Sequence, residues 1–138
     1  MQTKFKDIAQ YYLGTGLEIV DTPSNTNGYL NGINPDEIYF QDGWYSSNRF
    51  KPLLRSLDSL TKPITVKGYN DDKEFVPIEE LLKTRYCDVE FDFIEAIEDD
   101  WASADTKMEF APFSIFKKLL SWHFNIFGLE ETGYIKID

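Results

Sequence analysis

The sequence holds one cysteine, Cys87, and one histidine, His123. A single cysteine excludes an internal disulfide, and with it the small secreted scaffolds that rely on disulfides in place of a large core. One histidine and one cysteine also fall short of the three or four ligands that zinc takes from such residues. The reading is therefore no metal site and no cofactor. Long apolar runs are missing as well: none approaches the roughly 20 residues of a membrane-crossing helix. The opening MQTKFKD carries charges where a secretory leader places its apolar stretch. A soluble cytoplasmic protein is the expectation, with no membrane among its partners. Basic charge is scarce, 14 Lys and Arg against 24 Asp and Glu, for a net of −10. No basic stripe exists to displace counterions from a phosphate backbone, so direct nucleic-acid binding is not expected. The phosphate-loop lysine motif, the nucleophile-elbow serine and the paired-histidine zinc helix are absent too.

What is present is core material. The chain has 138 residues, of which 42% are hydrophobic, including 11 Phe, 8 Tyr and 3 Trp. That suits one domain, 1–138, which buries about two-thirds of the surface of its unfolded form. The acidic charge is concentrated. Residues 86–110 carry 9 acids against one base, Lys107, whereas residues 1–85 are nearly balanced and residues 111–138 fully so.

Phe5, Ile8, Ala9, Tyr12 and Leu13 recur at helical spacing, and Gly14 follows as a left-handed cap. GLEIVD (16–21) reads as a strand. NTNGYLNG (25–32) has two Asn-Gly turn signals. Asp42-Gly43 lies between two β-prone runs and reads as a two-residue hairpin turn; a second hairpin over 63–76 turns near Gly68 to Asp72. PIEELLKTR (77–85) has the proline start and charge order of a short helix. CDVEFDF (87–93) alternates strictly, which predicts a half-buried strand with Asp88, Glu90 and Asp92 on its outer face. Residues 97–109 read as a loop. A long helix is expected over 111–127, between Pro112 and Gly128, then a terminal strand at 134–138. The order predicts an α+β fold: a mostly antiparallel meandering sheet with an N-terminal helix, a short middle helix and a long C-terminal helix.

On the wheel of that last helix, Ser114, Lys117, Lys118, Ser121 and Asn125 form the wet face, and His123 falls opposite, among Phe116, Leu119, Leu120, Ile126 and Phe127. This predicts a packed, hydrogen-bonded histidine with its pKa lowered by burial. A Cys87–His123 nucleophile pair is the chemical alternative. Gly14-Thr15-Gly16 precedes a strand, the wrong order for a phosphate cradle. Asp88-x-Glu90-x-Asp92 has Phe93 where a calcium loop needs glycine. No catalytic residue is assigned. In DGWYSSNRF (42–50), Trp44, Tyr45 and Arg49 are of the types that dominate protein interfaces; the plainer reading is that Trp44 and Phe50 anchor the hairpin in the core.

KPLLRSLDSLTKPI (51–64) with EFVPIEELL (74–82) resembles a KPLLRPLSDLT block in a family of small prophage and mobile-element proteins of gut anaerobes, for which no activity is established. The ending WHFNIFGLEETGYIKID (122–138) is similar to their WHFDVFGLIEKG type of ending, and FKDIAQYYLGTGLEI (5–19) to their LKDIAHYLPYGLK start. Ser56 departs from the family's proline. The resemblance implies phage-derived biology and transfers no functional residue. Together these features suggest a non-enzymatic accessory protein acting by protein–protein binding, through Trp44, Tyr45 and Arg49 or through Asp88, Glu90 and Asp92. The alternatives are an acidic nucleic-acid mimic that inhibits a basic host defence or DNA-processing protein, and a small carboxylate-based hydrolase. The acidic face has a simpler use, keeping an edge strand from pairing.

Overall fold

The computed structural model describes residues 4–83, 92–95 and 111–137. The fold is α+β. Helix α1 (Phe5–Tyr12) buries Phe5, Ile8, Ala9 and Tyr12, the predicted stripe without Leu13, which is the capping residue and lies exposed. Gly14 follows with φ +87°, in the left-handed region where glycine carries no steric penalty. Strands β1 (Glu18–Asp21), β2 (Thr26–Tyr29), β3 (Gly32–Ile33), β4 (Glu37–Phe40), β5 (Gly43–Ser46) and β6 (Phe50–Arg55) come next. After them lie helix α2 (Pro77–Lys83), helix α3 (Phe113–Ser121) and strand β7 (Ile135–Ile137).

Two sheets form among the described residues. One has the order β2-β1-β6-β7 and the other β3-β4-β5. The pairings between these strands are antiparallel except β6 with β7, which is parallel and sets Leu53 opposite Ile135 and Arg55 opposite Ile137. A parallel neighbour needs a long return path, and the chain after β6, α2 and α3 included, supplies it.

Neither Asn-Gly pair of 25–32 makes a turn. Gly28 pairs with Ile19 inside β2, and Gly32 opens β3. The β1–β2 turn falls at 22–25, where Asn25 adopts φ 55°. Gly28 is required by packing: a Cβ there would lie 2.6 Å from the ring of Phe40 in the other sheet. Phe40 also sits 5.0 Å from Phe50, ring centre to ring centre. This close approach seats β4 against β2. The β4–β5 hairpin forms as expected, one residue earlier than read: Phe40 pairs with Gly43, leaving Gln41 (φ 57°) and Asp42 in the turn. The 63–76 hairpin reduces to one antiparallel bridge, Ile64 to Phe75.

Three further expectations are corrected. The C-terminal helix spans Phe113–Ser121 rather than 111–127. His123, at φ 63°, ends it: the His123 amide bonds the Leu120 carbonyl and the Phe124 amide bonds the Leu119 carbonyl, each at 3.0 Å. That is the paired hydrogen-bonding of a glycine-type helix stop, made here by histidine. Asn125, read as wet, is buried and exchanges two 3.0 Å bonds with the Leu129 backbone. Finally, residues 92–95 are helical, so the strand read over 87–93 does not include Asp92 and Phe93; its residues 87–91, Cys87 among them, lie outside the described residues, as do residues 97–109, expected to form a loop.

Trp122 and Phe124, on either side of His123, are fully buried. Trp122 packs at 5.0 Å on Phe75 and 5.5 Å on Tyr69, and Tyr12 donates its hydroxyl hydrogen to the Phe124 carbonyl. Tyr69 donates to Glu80 at 2.6 Å, and burial followed by that carboxylate pushes its phenol up to about 12.

Gly28→Ala tests the seating of the two sheets. The added methyl group has no room unless the buried Phe40 ring moves, so a loss of about 1–3 kcal/mol is expected in urea unfolding. Phe40→Leu in the same background should recover part of it.

Candidate functional site

Arginine 55 ends β6 with only 6% of its surface exposed. Its backbone joins the chain that follows α3: the Arg55 amide bonds the His123 carbonyl and the Asn125 amide bonds the Arg55 carbonyl, both at 2.8 Å. Its guanidinium reaches two more carbonyls, Nη1 to Trp122 at 2.6 Å and Nη2 to Thr65 at 2.7 Å. No carboxylate pairs with it among the described residues, and its Nε meets no acceptor there. Burial without a counter-charge disfavours the cation and lowers its pKa.

Beside this guanidinium is a pocket of about 390 Å³, within the range of small-molecule sites. The turn at Thr15 and Gly16, Glu18 of β1, the end of β6, residues 65–67, His123 and Ile137 of β7 line it. His123 is half-buried at this wall. Its Nε2 lies 2.9 Å from the Thr15 carbonyl. A carbonyl only accepts, so Nε2 carries the hydrogen and, in the neutral ring, Nδ1 keeps a lone pair. Burial is the main cause that lowers its pKa below 6.5, the Thr15 bond opposes that, and Arg55 adds to the lowering while Glu18 counters it. The packed, hydrogen-bonded histidine is thus found, but at a pocket wall after the helix. Cys87 lies outside the described residues, so the nucleophile pair has no geometry. Among the described residues the pocket lining has a single carboxylate, Glu18, where glycoside hydrolysis uses two.

The hairpin residues form a second locus. Trp44 is 48% exposed, its ring edge-on to Tyr39 at 5.4 Å and lying against Gly32. Phe50 is buried, so it anchors the core where Trp44 does not. Tyr45 packs partly on the core, and Arg49 lies over its ring at 5.0 Å. Arg49 also grips buried Asp21 with two bonds, Nε at 3.0 Å and Nη2 at 2.9 Å. The Arg49 hydrogen bonds are the largest cause holding the Asp21 carboxyl below the usual range, helped by Ser24. The structure therefore sets Arg49 over Tyr45, while Trp44, the preceding residue of the strand, faces the opposite side of the sheet with Tyr39. It does not join them to the acidic set: Asp92 is exposed in the 92–95 helical turn, and Asp88 and Glu90 lie outside the described residues.

Sequence reading found His123 but missed Arg55, Thr15, Glu18 and Lys67. Strand alternation puts Phe50, Pro52 and Leu54 inward and would turn Arg55 outward, so nothing in the sequence marked it as buried. Among the described residues no group of three or more His, Cys, Asp or Glu side chains is placed to hold a metal, and no helix is long and apolar enough to cross a membrane. No family model matches the chain, and searches of the curated proteins and of the solved structures return no match.

The lowered pKa of His123 makes stability pH-dependent with a definite sign. The unfolded chain, titrating near 6.5, takes up the proton before the folded one. The histidine's contribution is therefore constant above about pH 6.5 and turns destabilising as pH falls below it. His123→Asn keeps a residue tolerant of positive φ. Between about pH 7.5 and 5.5, wild type should lose melting temperature relative to this variant; a relative gain on acidification would show that Glu18 outweighs burial.

Proposed function

We propose that this protein is a non-enzymatic accessory protein that works by binding another protein, through the β4–β5 hairpin and the turn after it. The observation that carries this reading is Trp44: a large aromatic ring, half exposed, held by Tyr39 and Gly32 on a two-residue hairpin. A ring already fixed in place loses little freedom on binding, and tryptophan, tyrosine and arginine are the usual energetic centres of interfaces. Tyr45 and Arg49 pack together on the other face of the same hairpin, and the Asp21 pair fixes the Arg49 side chain. A phage-derived origin rests on the resemblance of the 51–64, 74–82 and 122–138 blocks. The nucleic-acid-mimic reading depends on residues 86–110, of which 92–95 are described.

Tagged wild type and Trp44→Ala, used side by side to capture proteins from host cells, test the proposal. Trp44 is exposed, so the variant should keep its melting temperature within the small range of surface changes. Its affinity for the captured partner should fall roughly 30-fold, the effect of losing one interface hot spot, and the wild-type complex should survive moderate salt. A partner held equally by both proteins would refute the hairpin as the contact. A partner released by salt alone would favour the acidic segment.

A further inference from the structure

The pocket beside Arg55 does not share its residues with the hairpin and calls for a separate explanation. Its charge is unusual for this chain. The protein carries −10 overall, yet among the described residues the ionised side chains of the pocket lining are Arg55 and Lys67 against Glu18, one positive charge in excess. The deeper of the two cations is the costly one. Arg55 is more than nine-tenths buried and touches carbonyl dipoles but no carboxylate among the described residues. A buried guanidinium normally finds an anion. Two of its five N–H groups are engaged, which leaves donors over. The remainder of the lining includes Leu53, Val66 and Ile137, which are apolar.

We infer that this pocket binds a small monocarboxylate, its carboxylate on Arg55 and Lys67 and a short apolar body against Leu53, Val66 and Ile137. One negative charge neutralises the excess. A phosphate dianion would exceed it and face Glu18, which selects against phosphate. The volume of about 390 Å³ is more than a bare ion needs and admits a molecule of hexanoate size. His123 forms part of the wall, with its Nε2 hydrogen held by Thr15 and its Nδ1 without a protein partner among the described residues. It is positioned to report the occupant, since an anion within about 4–6 Å favours the imidazolium.

Because the chain has one histidine, its ring resonances in a proton–carbon NMR spectrum are unambiguous. Hexanoate added to the wild-type protein at constant ionic strength should shift them saturably, with a Kd of about 1 mM or tighter, and raise the His123 pKa by about one unit. Hexanamide, of the same shape without the charge, and acetate, with the charge but a single methyl group, should each bind at least tenfold more weakly, and inorganic phosphate likewise. Lys67→Met, at an exposed position, should weaken hexanoate about fivefold without lowering the melting temperature. No saturable shift with hexanoate up to about 10 mM, or equal shifts with hexanamide, acetate or phosphate, would overturn the assignment. Hairpin function is untouched by any of these outcomes, and Trp44→Ala should bind hexanoate as wild type does.

Discussion

The contacts of Arg55 hold the two halves of the chain together. Through its backbone, β6 takes the segment after α3 as a parallel neighbour, and through its guanidinium it ties down the Trp122 and Thr65 carbonyls. It also stands opposite Ile137 in β7. A charge-assisted bond of this kind contributes about 1.5–3 kcal/mol net, and a carbonyl left buried without its donor costs about 1–3 kcal/mol. Removing the side chain would therefore be felt twice over. The Trp122 carbonyl is held by Arg55 while the Trp122 ring packs on Tyr69 and Phe75, so the same clamp keeps the aromatic core in register with the sheet.

That arrangement explains why a histidine stops α3. Phe124 must reach the edge of β6 immediately after the helix, and a left-handed residue is the shortest way to reverse the chain. Histidine adopts that conformation at some cost, which glycine would avoid. In return it supplies a ring that bonds the Thr15 carbonyl and so fastens the helix end to the turn before β1. The pocket follows from these constraints. Three carbonyls, Thr15, Thr65 and Trp122, are each held by His123 or Arg55, and the space enclosed between their segments stays open.

The hairpin is organised differently. Its base is locked to the four-stranded sheet by Asp21 and Arg49, and to the core by Phe40 and Phe50. Its outer face, with Trp44, has no such partner among the described residues. A rigid base with an exposed aromatic face differs from the pocket in chemistry as well as place, since the hairpin face is aromatic and the pocket lining carries Arg55, Lys67 and Glu18.

Several elements were legible because their signals are local. The stripe of α1, the left-handed Gly14, the proline-led α2 and the existence of the β4–β5 hairpin depend on residues a few positions apart, where spacing and backbone preference act directly. The errors share the opposite cause. Gly28 and Gly32 looked like turns because Asn-Gly favours them, but the ring of Phe40 claims the space above Gly28. Gly128 looked like the end of α3, but the need to bring Phe124 alongside Arg55 ends the helix at His123. The acidic run after α2 alternated like a strand, yet residues 92–95 are helical, with Ile94 buried in the core. By itself the sequence determined an α+β chain, with an N-terminal helix, a short middle helix and abundant aromatic core, since composition and short-range periodicity suffice for that. Only the tertiary structure decided that Arg55 is buried, that His123 leaves the helix and that the two share a pocket wall, because those facts depend on contacts such as Arg55 with Trp122, 67 positions apart, and His123 with Thr15, 108 apart, which no local pattern encodes.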